Sequence, residues 1–181
     1  MDFIAPSCDS NLGVIINNVQ LSNILEKKEL KSIRKLWVNY GVAIFPKQNL
    51  NLQEYENFSA QFGPYGDEPF LIPMQEHPHI VKLHRKPDEE AAHFGGAWHS
   101  DWSFQSAPPS ATILYSEIIP PMGGDTLFAN TANAYDDLTD ELKKKIANLR
   151  CLHSAKLPYA KDGVYALSLI HISEPTRQFR I

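Results

Sequence analysis

The first clear pattern of hydrophobic and polar positions predicts a helix between Asn23 and Tyr40. Apolar residues recur there at intervals of three and four, which places them on one helix face. Asn23 and Glu26 have the spacing of a capping pair, and Gly41 supplies a stop. The predicted apolar face consists of Leu30, Ile33, Leu36, Trp37 and Tyr40.

A short buried strand and a second helix are predicted next. The run at 42–45 is apolar and is closed by Pro46, which is typical of a strand end. Asn51 and Glu54 repeat the capping arrangement, and Gly63 ends the helical pattern. The apolar stripe of this helix consists of Tyr55, Phe58 and Phe62.

The rest of the chain predicts mainly β-structure. Segment 63–96 is rich in proline and histidine and is expected to be a loop, with a solvated charged run at 85–90. Proline-rich and glycine-rich turns separate the later segments. Strands are predicted at 80–83, 97–104, 111–117, 126–129 and 151–155, and helices at 132–138 and 140–149. The predicted fold class is therefore mainly β with flanking helices (α+β).

Composition limits the classes of function. The 181 residues, 43% of them hydrophobic, suffice for one packed domain. A net charge of -4 gives no basic face for nucleic acid, and no apolar run approaches the roughly 20 residues of a membrane span. The start lacks a secretory signal pattern, and Cys8 and Cys151 form no disulfide framework. We expect a cytoplasmic protein that binds neither nucleic acid nor membrane.

His99 and Asp101 are the candidate metal ligands. They lie two residues apart on a predicted strand, where alternate side chains share one face. An imidazole, a carboxylate and a second histidine form the facial triad of non-haem Fe(II) oxygenases. A histidine beside a carboxylate is also a common structural pair, so the spacing alone leaves both interpretations open.

Three motifs together resemble the taurine catabolism dioxygenase (TauD/TfdA) family. They are G-V-A-I-F at 41–45, W-H-S-D at 98–101 with Phe104, and P-P-M-G-G-D-T-L-F at 120–128, followed by Ala134 and Tyr135. The resemblance covers residues 12–160, about the first half of a typical member. It implies a double-stranded β-helix (jelly roll), here incomplete, that uses Fe(II), 2-oxoglutarate and O₂ to hydroxylate a small organic substrate.

The resemblance assigns roles to three residues. His99 and Asp101 would be two of the iron ligands, and the Thr126 hydroxyl would donate to a carboxylate of 2-oxoglutarate. Asp125 is expected to be a turn residue. The second histidine ligand and the arginine that pairs with 2-oxoglutarate lie beyond Ala166 in the family, so the chain as written is expected to be inactive.

Candidate substrate contacts are Glu68, Gly95, Trp98 and Phe104. Strand aromatics, including Trp102, more often fill a core than line a pocket. Gly95 stands near the position where taurine-using members carry an asparagine. A pocket-facing Glu68 would oppose a sulfonate, whereas a solvated loop residue would not.

The other histidines have simpler interpretations. His153 follows Asp101 too closely for the family spacing and is expected to be a core or surface residue. Loop positions are expected for the remaining native histidines, with His93 near substrate. These are His77, His79, His84 and His93.

The C-terminal segment resembles translated adapter DNA rather than protein. Residues 167–177 match the reading of a transposase-type sequencing adapter, 178–180 fit its index, and Ile181 fits the resumed constant sequence. We therefore expect residues 1–166 to be the N-terminal part of a dioxygenase domain and 167–181, with His171, to make few native-like contacts.

Two classes of function follow from these observations. The first is an Fe(II)- and 2-oxoglutarate-dependent dioxygenase, present as an inactive fragment of a parent whose oligomeric state is open. The second is a non-catalytic jelly-roll protein that binds a small molecule. A histidine followed by an arginine further along the parent sequence would favour the enzyme.

Overall fold

The structure, a computed structural model, describes residues 1–6, 11–68, 70–85, 88, 95–155 and 176–180, the last five by their backbone. Cys8, His93, His171 and most of the charged run at 85–90 lie outside these ranges. The chain divides into two compact units. The first comprises Met1–Pro64 and Ile113–Leu138, and the second Tyr65–Thr112 and Thr139–Ile181.

A three-stranded sheet forms the centre of the first unit. Its strands are β1 (Asp2–Ile4), β2 (Val14–Asn17) and β3 (Ala43–Ile44), in the order β1-β2-β3. β1 pairs with β2 antiparallel, and β2 pairs with β3 parallel. Helix α1 (Lys27–Tyr40) lies between the parallel strands in sequence and makes the crossover that such a pair requires. Strand β3 was predicted from the sequence, whereas β1 and β2 were not.

Helix α1 confirms the predicted apolar face but not the predicted cap. Ile33 is buried, and Gly41 closes the helix with φ of +69°, a conformation that favours glycine. The helix starts after Glu26, which forms a capping box with Glu29. The expected Asn23 cap is therefore wrong, because Glu26 occupies the capping position and its side chain accepts from the N–H of Glu29.

Helix α2 (Leu52–Ala60) begins as predicted. The Asn51 side chain accepts from the N–H of Glu54, and the Glu54 carboxylate accepts from the N–H of Asn51. Phe58 is buried in a core with β2 and α1. The Tyr55 hydroxyl donates to the carbonyl of Ile113, which attaches the segment that follows Pro108 and Pro109 to this core.

Three further elements follow the predicted order. They are α3 (Thr131–Asp136), capped by Asn130; α4 (Asp140–Ile146), capped by Thr139; and β4 (Arg150–Ser154). β4 pairs antiparallel with β5 (Thr176–Arg180) over five residue pairs. The expectation of few contacts for the tail is wrong for β5, because an open strand edge accepts any extended backbone.

Most of the predicted later strands do not form. Segments 80–83, 97–104, 111–117 and 126–129 have no β-ladder. Residues 101–104 turn instead, with Trp102 at φ of +49° and the Gln105 N–H donating to its carbonyl. Within the described ranges, helices of six to fourteen residues hold more of the chain than strands of two to five, so the expected excess of β-structure is not seen there. The described strands form a three-stranded and a two-stranded sheet, which do not show the predicted jelly roll. None of the described helices is long and apolar enough to cross a membrane.

Candidate metal centre

His99 and Asp101 lie side by side in the second unit. The distance between Nε2 of His99 and Oδ1 of Asp101 is 3.0 Å, and about half of each side chain is exposed. The predicted proximity is confirmed, but its predicted cause is wrong. The expected strand is absent, because residues 98–100 have no regular structure and a turn starts at Asp101.

The neighbouring carbonyl determines which atom of His99 is available. Nδ1 lies 2.8 Å from the carbonyl oxygen of Ala97, which can only accept a hydrogen bond, so Nδ1 carries a proton. In the neutral ring, Nε2 then presents a lone pair to the Asp101 carboxylate. Two lone pairs at this distance repel each other unless a proton or a cation lies between them.

The 3.0 Å separation suits a cation. Divalent first-row ions bind imidazole nitrogen and carboxylate oxygen at about 2.1 Å, so two ligands at right angles lie about 3.0 Å apart. Nε2 and Oδ1 have that separation. The donor set, one nitrogen and one hard oxygen, fits Fe(II) better than a thiolate-preferring ion.

Thr112 holds the other oxygen of the carboxylate. Its hydroxyl donates a hydrogen bond of 2.6 Å to Oδ2 of Asp101. In the sequence, Thr112 was predicted only as part of the strand at 111–117, because nothing in its position indicates a contact eleven residues away. The contact depends on how the chain folds between Asp101 and Thr112.

The described residues contain no group of three metal-binding side chains. His153 has Nδ1 2.7 Å from the Ser103 hydroxyl. That His153 is not a third ligand stays a prediction. Among the loop histidines, His79 stacks on the Tyr65 ring with centroids 3.9 Å apart.

Gly95 lies next to His99. It has φ of +69°, and a Cβ added there would lie 3.5 Å from Cε1 of His99. Only ordinary contact would result, so the positive φ is the stronger reason for glycine at this position. The neighbouring Trp98 is largely exposed, with 71% of its surface accessible.

Phe104 belongs to a small core rather than to an open pocket. It is 7% exposed and packs edge-on against Phe70 and Trp102 at centroid distances of 5.4 and 5.6 Å. Ala155 is buried in the same cluster. The structure therefore favours the core interpretation of Phe104 and Trp102 over substrate contact.

Glu68 is a half-buried residue that organises its own loop. Its Oε1 accepts hydrogen bonds of 2.8 Å from the N–H groups of both Phe70 and Leu71. Burial raises the pKa of the Glu68 carboxyl, and the two N–H donors oppose that effect. This geometry agrees with the loop interpretation, because Oε1 binds backbone N–H groups of its own loop.

Thr126 is exposed in the first unit, in a segment without a β-ladder. The predicted strand position is therefore wrong, while the role toward 2-oxoglutarate stays a prediction. The preceding Gly123 and Gly124 have φ of +75° and +74°, but Asp125 itself lies in no turn, so its expected turn position is wrong. Such left-handed conformations are readily adopted by glycine.

The sequence model of the taurine catabolism dioxygenase TauD, TfdA family matches residues 5–176. The chain belongs to this family. The match continues past Ala166, while the resemblance of 167–181 to adapter DNA stays a prediction.

Curated relatives and solved structures agree with this membership. An (S)-phenoxypropionate/alpha-ketoglutarate-dioxygenase from Sphingobium herbicidovorans is 26% identical over 88% of this chain and 56% of the relative. An alpha-ketoglutarate-dependent sulfate ester dioxygenase from Pseudomonas putida is 31% identical over 82% and 48%. The crystal structure of a taurine dioxygenase from Burkholderia xenovorans has a TM-score of 0.69, with 32% identity over 81% and 51%. The chain thus spans about half the length of these proteins.

Proposed function

We propose that the chain carries two of the metal ligands of an Fe(II)- and 2-oxoglutarate-dependent dioxygenase that hydroxylates a small organic substrate. The observation that supports this most directly is the 3.0 Å approach of His99 Nε2 to Asp101 Oδ1 in a family member. A nitrogen and a carboxylate oxygen at that distance match two adjacent ligands of the facial triad.

The residues divide the task between them. His99 binds through Nε2 because Ala97 fixes the proton on Nδ1, and Asp101 binds through Oδ1 because Thr112 occupies Oδ2. Bound Fe(II) and 2-oxoglutarate supply the oxidising chemistry. Thr126 offers an exposed hydroxyl that donates to a carboxylate of 2-oxoglutarate, in the role that the family resemblance implies.

The proposed substrate class is a small organic anion. The named relatives act on phenoxypropionate and sulfate esters, which carry a carboxylate and a sulfate. Glu68 gives little reason to exclude a sulfonate, because its Oε1 accepts two backbone hydrogen bonds within its own loop. Taurine-like sulfonates therefore stay within the proposed class.

Manganese binding tests the ligand assignment on this chain. We expect the wild-type chain to bind Mn²⁺ and the variants His99→Ala and Asp101→Asn to lose that binding, because each removes one of only two protein ligands. The loss of the free Mn²⁺ paramagnetic resonance signal measures the bound ion. His84→Ala is the matched control, since it removes an exposed histidine of the same unit. Equal binding by wild type and His99→Ala would reject the site.

Turnover tests the dioxygenase proposal. The 181-residue chain is expected to form no more succinate from 2-oxoglutarate than its His99→Ala variant does, because the facial triad needs a third protein ligand. The completed parent is expected to encode a later histidine followed by an arginine, and to consume 2-oxoglutarate when a substrate is present. A complete parent with neither feature would favour the non-catalytic binding protein.

A further inference from the structure

The carboxylate of Asp101 accepts a hydrogen bond from Thr112, a residue outside the W-H-S-D motif. The Thr112 hydroxyl donates a 2.6 Å hydrogen bond to Oδ2, while Oδ1 faces His99. Hydrogen bonds to charged acceptors are stronger than neutral ones, and 2.6 Å is short for an O–H donor. The two oxygens of one carboxylate therefore have different partners.

We propose that Thr112 is a positioning residue that keeps Asp101 a one-oxygen metal ligand. This inference rests on the proposed function, because it assumes that an ion binds between His99 and Asp101. A carboxylate can bind an ion through one oxygen or through both. Binding through both would occupy a second coordination position, whereas a facial triad works by leaving positions open for co-substrate and O₂.

The side chain of Thr112 is suited to this task. It is β-branched, so its χ1 angle has few favourable values and the hydroxyl is held in place at small entropic cost. A serine offers the same donor with more rotational freedom. A valine keeps the shape and removes the donor.

The backbone after Asp101 is anchored as well. Trp102 has φ of +49°, a conformation that costs free energy in a residue with a large side chain. Its ring stacks on Phe70 at a centroid distance of 6.0 Å and packs edge-on against Phe104. With the main chain held by this cluster and Oδ2 held by Thr112, Oδ1 has one direction left for an ion.

The experiment compares Mn²⁺ affinities of variants of the complete 181-residue chain, kept in solution by fusion to a carrier protein, with the carrier alone as the blank. We expect Thr112→Val to weaken Mn²⁺ binding about tenfold, as is typical when the hydrogen-bond partner of a metal ligand is removed. Thr112→Ser should stay close to wild type because it keeps the donor. Ser110→Ala removes a nearby exposed hydroxyl and should change nothing.

Infrared difference spectra of each variant, with and without Mn²⁺, give a second readout that a general packing defect would not move. With a one-oxygen carboxylate, the asymmetric and symmetric stretches lie far apart. In Thr112→Val they should move closer together, as expected when both oxygens bind the ion. Thr112→Ser should retain the wild-type separation.

The outcomes separate the two proposals. Wild-type affinity and unchanged carboxylate stretches in Thr112→Val would overturn the role of Thr112 and leave the metal site standing. Weakening by Thr112→Ser as large as that by Thr112→Val would also overturn it, because the hydroxyl would then not be the cause. Mn²⁺ binding by the wild-type chain no stronger than by His99→Ala would overturn the metal site and this inference together.

Discussion

At the scale of single residues, the chemistry of the site depends on which atoms are already occupied. The Ala97 carbonyl accepts a hydrogen bond from Nδ1 of His99, and the Thr112 hydroxyl donates to Oδ2 of Asp101. Nε2 and Oδ1 are then the atoms proposed to bind an ion. The Glu68 side chain is likewise limited by its hydrogen-bond partners, although no metal is proposed there. Its Oε1 is occupied by two backbone N–H groups, which makes the side chain part of the loop.

The raised pKa of the Glu68 carboxyl predicts that the free energy of unfolding depends on pH. Because burial raises its pKa in the folded chain, the folded state binds more protons than the unfolded state between the ordinary value of 4.5 and the raised value. The stabilisation from protonated Glu68 is complete below the ordinary pKa and is lost as the pH rises through the raised one. Urea unfolding at low micromolar concentration should therefore show Glu68→Gln gaining stability over wild type from pH 4 to 7.

The control compares Glu68→Gln, which keeps a hydrogen-bond acceptor, with Glu68→Ala, which removes it. Glutamine retains an oxygen for the N–H groups of Phe70 and Leu71, whereas Glu68→Ala leaves both without it and should be less stable than Glu68→Gln at every pH. A constant difference between wild type and Glu68→Gln across this pH range would contradict the assignment.

The sequence could predict His99 and Asp101 but not the atoms that orient them. The W-H-S-D motif carries the two ligands within four residues, so their proximity is local information. The bond from Thr112 spans eleven positions and depends on how the intervening proline-rich turn folds. The same holds for Phe104, whose burial depends on Phe70, thirty-four positions earlier.

At the scale of elements, the helices were predictable and most strands were not. A helix satisfies its hydrogen bonds within one segment, so periodicity and capping residues such as Asn51 suffice to place it. A strand exists only through a partner that the sequence does not name. Strand β2 shows the difference, because its four residues gave too short a pattern, yet it is central to the sheet and its Val14 and Ile16 lie in the core.

Substitutions on β2 test its place in the core. Ile16 is fully buried and Ile15 is 38% exposed, because adjacent strand residues face opposite sides. We expect Ile16→Ala to lower the free energy of unfolding by about 2–5 kcal/mol, the usual cost of such a buried truncation. Ile15→Ala, the same change one position away, should cost clearly less. Equal losses in urea unfolding would show that β2 does not have one buried face.

At the scale of the whole molecule, the chain leaves much apolar surface uncovered. Six side chains between Leu114 and Phe128 are more than half exposed: Leu114, Ile118, Ile119, Met122, Leu127 and Phe128. Soluble monomers rarely expose contiguous apolar patches of large size. This segment therefore presents a candidate surface for packing against further polypeptide.

This surface predicts self-association. The chain should enhance the fluorescence of anilinonaphthalene sulfonate and sediment as a mixture of sizes, because uncovered apolar area favours both. The double variant Ile118→Lys and Met122→Lys should reduce the dye signal, since these two side chains are 89% and 88% exposed. Ser116→Lys, which adds charge without removing apolar surface, is the control. A monomer that gives no dye signal would reject the prediction.

The half-exposed pair of His99 and Asp101 has a consequence for the ion that a purified sample contains. With two protein ligands open to solvent, the pair cannot select an ion by enclosing it, so selection follows the general rise of affinity from manganese and iron toward nickel and copper. We therefore expect any ion bound at the proposed pair to reflect the column and buffers used in purification, so that the metal content of a sample reports its handling rather than a preference of these two residues.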